Sequence, residues 1–259
     1  MLTDPSILNP PKRVNPQFLF IYGREKIGKT TAAAQLPDSY LLEILHEGAG
    51  ADYVSYRGSA VGSLAELRAG YTQLREWNKA GKFRRLVVDT GDALIALLED
   101  EASKKYKTLI NKENAPIVAT VMELGYGKGT EMLAQMFKDE LAALKTCCDE
   151  LLVLGHSKKY DTTVEATNAK DVDLPGKLRS KIIYTADAAA YAYLDRTKKN
   201  ELWLAFSNTD EVAGGSRARH LAGQKVKLGE FGPEGMIANW SKIYLPAPAE
   251  PVKAVEAAK

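Results

Sequence analysis

The sequence predicts an α/β fold: a mainly parallel sheet covered by helices on both faces, with an antiparallel hairpin towards the C-terminus. Three observations carry this prediction. Short apolar runs alternate with helical stretches, the first run ends in a glycine-rich turn, and two late β-type runs are joined by the turn sequence TKKN. Strands separated by helices pair in parallel, because each helix returns the chain to the edge where the strand began.

Composition and spacing predict the individual elements. The predicted strands are short apolar runs, and they cover residues 17–23, 39–45, 83–90 and 151–156. The predicted helices repeat apolar residues every three or four positions, and they cover residues 29–36, 64–80, 91–107 and 131–150. Two polar segments, 108–130 and 157–181, predict loops, and residues 188–207 predict the hairpin.

The bulk composition predicts one globular domain. A proline-rich extended arm covers residues 1–16, the core covers 17–245, and a disordered tail covers 246–259. The net charge of +2 excludes a generally basic surface, so any nucleic-acid contact must be local. The adjacent Cys147 and Cys148 suit free thiols in a reducing compartment. No secretory or membrane-spanning segment is recognisable, which predicts a cytoplasmic protein with no membrane contact.

The stretch GREKIGKT at residues 23–30 matches the phosphate-binding pattern G-x-x-x-x-G-K-[ST]. Its glycines let backbone N–H groups approach phosphate oxygens closely, and the following helix directs its positive end at them. We expect Lys29 to reach the β- and γ-phosphates of ATP, and the Thr30 hydroxyl to bind Mg²⁺. The expected nucleotide-binding residues are consecutive: Gly23, Arg24, Glu25, Lys26, Ile27, Gly28, Lys29, Thr30 and Thr31.

Further side chains at strand ends complete the predicted site. Asp89 ends the run RRLVVD and is expected to hold Mg²⁺ together with Thr30. Hydrolysis also needs a group that orients the attacking water, and the second strand offers Glu43 and Glu47. Glu47 is favoured, because Glu43 could face into the sheet. His156, at the tip of the strand LLVLGH, is expected to sense the γ-phosphate.

The order of these motifs, YGREKIGKTT, VVDT, VLGH and a late GGSRAR, resembles that of RecA-like ATPases. More narrowly, the chain resembles the phage-encoded, core-only RecA-like proteins of single-strand annealing and recombination, the Sak-type, AAA-related nucleotide-binding proteins. The resemblance covers most of residues 17–245. It implies an extra strand between the phosphate-loop strand and the magnesium-acid strand, and location in a host cytoplasm. It also implies assembly into a ring or short filament with ATP between subunits.

The resemblance further implies binding of single-stranded DNA, with a single-strand DNA-binding protein as a candidate partner. RecA-like proteins use two mobile loops after the third and fourth strands, which fall here at about 101–130 and 157–181. Lysines interleaved with tyrosines suit a single strand, because charges follow its backbone and rings stack on its bases. The expected DNA-binding residues are Lys104, Lys105, Tyr126, Lys128, Lys158, Lys159, Lys177, Arg179 and Lys181. Arg217 and Arg219 are implied to reach the ATP of a neighbouring subunit.

Two other functions would use the same phosphate loop. A P-loop kinase for small metabolites would close a basic lid over its acceptor and could act as a monomer. A motor or helicase-loading ATPase would prefer duplex DNA or require a protein partner. The leading hypothesis is a DNA-dependent ATPase in which ATP binding orders the two basic loops for single-stranded DNA and hydrolysis releases it.

Overall fold

The computed structural model describes residues 13–46, 51–109, 120–123, 127–157, 172, 177–195, 197, 200–208 and 213–246. Its helices are α1 (Lys29–Ala34), α2 (Leu64–Lys79), α3 (Gly91–Leu109), α4 (Lys128–Lys145) and α5 (Lys177–Thr185). Its strands are β1 (Phe18–Gly23), β2 (Ser39–Ile44), β3 (Gly58–Val61), β4 (Arg85–Asp89), β5 (Glu150–His156), β6 (Ala188–Asp195), β7 (Glu201–Ala205), β8 (Gly215–Ser216), β9 (Lys225–Gly232) and β10 (Gly235–Ala238).

The described strands form one sheet in the order β10-β9-β7-β6-β1-β5-β4-β2-β3, with β8 paired to β6. The run from β6 to β3 is parallel throughout, whereas β7, β8, β9 and β10 pair antiparallel to their neighbours. The predicted α/β class, with an antiparallel C-terminal hairpin, is therefore confirmed. Strand β5 lies between β1 and β4, as the resemblance implied for the phosphate-loop and magnesium-acid strands.

Each face of the sheet is covered by its own apolar layer. One face packs against α2, α3, α4 and α5, with Phe18, Phe20 and Val88 among its buried sheet residues. The other face packs against α1 and the C-terminal strands, with Leu41 and Val87 among its sheet residues. Because side chains alternate along a strand, residues two apart in β2, β4 or β5 share a face. This alternation decides which polar residues meet beside α1.

Several elements differ from the sequence-based prediction. Strand β3 was missed because it is a short outer strand with two exposed residues, so its apolar signal is weak. Helix α5 begins inside the segment predicted as a polar loop, and α3 continues to Leu109 into the other. Helix α4 ends at Lys145, and Glu150 already belongs to β5. The hairpin of β9 and β10 was missed because glycines interrupt its pattern.

Asn15 and Leu245, near the two ends of the described chain, are hydrogen-bonded to each other. The Asn15 side chain accepts a hydrogen bond from the Leu245 N–H and donates one to the Leu245 carbonyl. These bonds fix the entry to β1 against the segment after β10. In the part of the chain that the structure describes, no helix has both the length and the apolar character needed to cross a membrane.

Candidate functional site: the phosphate loop and the carboxyl edge of the sheet

The predicted phosphate loop joins β1 to α1. Gly28 stands immediately before the helix with φ of 94°, a left-handed conformation that glycine adopts without a steric penalty. A Cβ at this position would lie 2.7 Å from Met236 Sδ and 2.8 Å from the Phe231 ring. The hairpin of β9 and β10 therefore packs directly against the turn. Sequence reasoning missed this contact, because Phe231 and Met236 lie about 200 positions downstream of the motif.

Gly23, the first glycine of the motif, is required for a different reason. A Cβ there would stand 2.3 Å from the carbonyl oxygen of Ala192, in the neighbouring strand β6. The glycine thus lets β1 and β6 pair closely up to the start of the loop. Close strand packing therefore also requires a glycine at this position, and the phosphate approach that the motif suggests stays a prediction.

Lys29 begins α1, and its side chain reaches back into the loop. Its ammonium group donates hydrogen bonds to the carbonyl oxygens of Gly23 (2.8 Å) and Arg24 (2.7 Å). Burial lowers the pKa of Lys29 to about 8, although the carboxylates of Asp89, Asp92 and Glu25 favour the charged form. A buried ammonium group held only by two carbonyls and more distant carboxylates is suited to receive an anion.

Asp89 ends β4 beside this lysine. It is 8% exposed, and its carboxylate accepts a hydrogen bond from the Thr30 side chain. Burial raises the pKa of Asp89; the Thr30 hydrogen bond and the charges of Lys29 and His156 oppose that effect, whereas Glu43 adds to it. The Thr30 hydroxyl and the Asp89 carboxylate are oxygen ligands of the kind that Mg²⁺ prefers, so this pair fits the expected magnesium site.

Glu43 is the second buried carboxylate at this edge. It pairs in register with Asp89 across β2 and β4, and it shares the sheet face of α1, as Leu41 does two residues earlier. The side chain of Glu43 therefore lies on the sheet face that carries α1, at the strand end where Asp89 lies. Its carboxylate contacts His46 Nδ1 (2.9 Å) and the Tyr56 hydroxyl (3.4 Å). Glu47, the favoured alternative, lies outside the described residues.

His156 ends β5, next to Gly23 at the end of β1. Its ring Nδ1 lies 2.9 Å from Asp92 Oδ2, and the same oxygen accepts a hydrogen bond from the His156 backbone N–H. Asp92 stands in the first turn of α3, so this contact ties the end of β5 to the start of the helix after β4. Sequence reasoning missed Asp92, although its place three residues after Asp89 was a usable signal.

One buried acceptor at this edge remains open. Asp92 Oδ1 has no hydrogen-bond partner among the described residues, and its charge acts on Lys29. The carboxyl edge of the sheet thus brings together a buried ammonium group, a hydroxyl beside a carboxylate, and a carboxylate oxygen without a hydrogen-bond partner among the described residues. These groups fit a nucleoside triphosphate with its magnesium ion.

The two late arginines lie elsewhere. The Arg217 guanidinium donates hydrogen bonds to the carbonyl oxygens of Ala186 (2.7 Å) and Tyr184 (2.8 Å). These residues precede β6, which runs parallel to β1, so Arg217 lies at the opposite edge of the sheet from the phosphate loop of its own chain. Arg219 is exposed nearby. Their action on a neighbouring subunit stays a prediction.

The predicted DNA-binding residues fall into two groups. Lys104 and Lys105 are exposed in the second half of α3, where Lys104 forms an ion pair with Asp100, and Lys128 is exposed at the start of α4. The others carry side chains outside the described part of the molecule: Tyr126, Lys158, Lys159, Lys177, Arg179 and Lys181. Their role stays a prediction.

The strand order and the phosphate loop define a P-loop nucleotide-binding fold. Residues 15–218 match the family model AAA_24, which is described as an AAA domain, and the chain belongs to this family. No curated protein matches the chain. A solved structure titled as the KaiC-like protein PH0186 from Pyrococcus horikoshii OT3 aligns with 11% identity and a TM-score of 0.41. That alignment covers 86% of this chain and 89% of the other.

Proposed function

We propose that this P-loop ATPase binds and hydrolyses ATP with Mg²⁺, binds single-stranded DNA and promotes annealing or homologous recombination, as a phage-encoded protein of the Sak type. The contact that carries the proposal is the one between His156 and Asp92. It joins the end of β5 to the first turn of α3, beside the phosphate loop. The lysine-rich segment 157–181 follows β5 directly, and the segment 101–130 begins within α3. A ligand that moves His156 or Asp92 would therefore act on both segments together.

The residues divide the chemistry among them. Lys29 and the loop amides would hold the phosphates, and Thr30 and Asp89 would hold Mg²⁺, which stabilises negative charge on the phosphates when bound. Glu43 or Glu47 would orient the attacking water, because a carboxylate beside the magnesium acid is a suitable proton acceptor. Arg217 and Arg219 would act on the site of a neighbouring subunit within a ring or short filament.

The experiment is the ATPase rate with and without single-stranded DNA across a salt series. The proposal expects a rate that rises with single-stranded DNA, and a stimulation that collapses as salt screens the phosphate contacts. The Lys29→Ala variant should lose ATP-dependent DNA binding. If it binds single strands as the parent does, with and without ATP, the coupling is contradicted.

The same assay discriminates the alternatives. Turnover that responds to a small metabolite and not to DNA would identify a kinase. Stimulation by duplex DNA, or only with a protein partner, would identify a motor or helicase-loading ATPase. Either result would replace annealing as the proposed function and leave the nucleotide site intact.

A further inference from the structure

The turn after β2 carries a cluster of polar side chains around the Glu43 carboxylate. Glu43 is 5% exposed, and burial of a carboxylate is costly unless hydrogen bonds or charges compensate for it. The partners observed are unusual for that task. His46 is about half exposed, and the Tyr56 hydroxyl lies at 3.4 Å, at the long limit of a hydrogen bond.

The backbone is bent to bring His46 onto Glu43. Leu45 and His46 have φ angles of 59° and 48°, both in the left-handed region that residues other than glycine rarely adopt. The turn is held in place by the Leu45 N–H, which donates to the Val61 carbonyl oxygen at 2.9 Å. Strain of this kind persists where the surrounding structure enforces it, and it concentrates at functional sites.

The imidazole of His46 is held on both sides. Nδ1 lies 2.9 Å from Glu43 Oε1, and Nε2 lies 3.6 Å from Asp52 Oδ2. The hydrogen bond to Glu43, followed by the charges of Glu43 and Asp52, raises the pKa of His46. One Glu43 oxygen thus faces His46 and the other faces Tyr56, so the plane of the carboxylate is fixed next to Asp89.

We propose that His46 and Tyr56 are positioning residues that orient the Glu43 carboxylate for ATP hydrolysis. The inference rests on the proposed ATPase activity, and it assigns the water-orienting role to Glu43 rather than to Glu47. A general base acts only when its lone pair points at the proton it accepts. A displacement of about 1 Å can reduce turnover by roughly 10²-fold. A carboxylate held by one half-exposed imidazole and one long hydrogen bond is therefore sensitive to the loss of either partner.

The kinetic test compares two substitutions of one residue. The His46→Ala variant removes the donor and should lower kcat about 10- to 100-fold with little change in KM for ATP. The His46→Asn variant keeps an N–H donor near the Nδ1 position and tolerates the left-handed backbone, so it should recover most of the lost kcat. The Tyr56→Phe variant should show a smaller, few-fold loss, because its hydrogen bond is long. Unchanged kcat in His46→Ala, or an equal loss in Ala and Asn variants, would overturn the proposal.

A double-substitution cycle separates positioning from a merely structural role. If His46 acts through Glu43, the Glu43→Gln variant and the Glu43→Gln, His46→Ala double variant should hydrolyse ATP at the same reduced rate. Additive losses would show that His46 acts elsewhere and would contradict the proposal. A Glu47→Gln variant that loses more activity than Glu43→Gln would also contradict it.

A measurement without ATP tests the contact itself. In an NMR titration, Glu43→Gln should lower the pKa of the His46 imidazole towards its ordinary value of about 6.5, because the carboxylate that raises it is gone. An unchanged His46 pKa would mean that the two side chains do not interact. If the parent protein hydrolyses no ATP yet this shift is observed, the proposed function fails while the contact is retained.

Discussion

Glu43 and Glu140 are two glutamates buried to the same extent, each with 5% of its surface exposed, yet they are stabilised in opposite ways. Glu140, in α4, accepts hydrogen bonds from Nε (3.1 Å) and Nη2 (2.7 Å) of Arg68 in α2, and from the Tyr71 hydroxyl. Arg68 Nη1 also donates to Glu101 in α3 at 2.7 Å. Glu43 has one half-exposed imidazole and one distant hydroxyl.

The difference shows what each carboxylate contributes. Glu140 joins three helices through a satisfied network, in which burial and the hydrogen bond to Glu140 raise the pKa of Tyr71. That arrangement fixes the helical layer over the sheet. Glu43 stands at the carboxyl edge beside Asp89, where a strained turn supplies one of its partners, His46. A carboxylate whose hydrogen bonds are completed inside the fold stabilises the fold, and one with fewer partners at a strand end is available for chemistry.

The largest expected effect is a loss of stability, and it tests the hydrogen-bond network of Glu140. The Arg68→Ala variant leaves Glu140 buried without its charge partner. Because Arg68 is 41% exposed and Tyr71 still donates to Glu140, the free energy of unfolding should fall by about 2–3 kcal/mol. Urea denaturation measures this loss. ATP turnover below the melting temperature should change little, because Arg68 lies in the helical layer and not at the carboxyl edge.

Arg75 is the matched control on the same helix. It makes an exposed hydrogen bond to Thr146, and its guanidinium lies 6.0 Å from the centre of the Tyr71 ring, so Arg75→Ala should cost only about 0.5–1.5 kcal/mol. A loss in Arg68→Ala no larger than that in Arg75→Ala would show that the Glu140 network contributes little.

A smaller effect is expected at Gly28. Gly28→Ala places a Cβ in a left-handed backbone and against Met236 and Phe231, so it should cost about 1–3 kcal/mol of stability and also weaken ATP binding. Gly81, after α2, has φ of 69° and open space around its Cβ position. Gly81→Ala should therefore lose about 1–2 kcal/mol and keep its ATP affinity. Equal ATP affinities in the two variants would contradict the role of the hairpin against the loop.

The smallest expected effect is a pH dependence set by Lys29. With its pKa lowered to about 8 in the free protein, Lys29 loses its proton above that pH, whereas bound phosphates would hold the ammonium form. ATP binding should then take up a proton, and the affinity should fall by at most about tenfold per pH unit above pH 8.

The free energy of unfolding of the protein without ATP should rise as the pH rises above about 8, whereas the affinity for ATP falls. The unfolded chain binds more protons at Lys29 between about pH 8 and the ordinary pKa of 10.5, so this group adds stability as the pH rises through that window. Both pH effects should vanish in Lys29→Met. Their persistence in that variant would assign them to another group.

The central part of the fold and of the site was predictable from the sequence. The strands β1, β2, β4 and β5 are apolar runs, and their order with alternating helices fixes which strand ends share an edge. Asp89 and His156 were found because each follows such a run directly. The same reasoning placed Lys29 and Thr30, because the motif encodes the loop locally.

What the sequence could not predict depends on distant contacts. Phe231 and Met236 meet Gly28 only through the sheet order, and the glycines of β9 and β10 hide their strand pattern. His46 reaches Glu43 through two left-handed residues, a conformation that neither Leu45 nor His46 favours locally. Gly23 appeared to serve the phosphate alone until its contact with Ala192 was seen.

Calorimetric titration of Mg²⁺–ATP into the parent protein and into Lys29→Met tests the central claim, that the turn over residues 23–30 holds a triphosphate. We predict saturable binding to the parent, a loss of roughly 10²- to 10³-fold in affinity for Lys29→Met, and no loss of stability in the ligand-free variant. Equal ATP affinity in the two proteins, or no binding to the parent, would contradict the account.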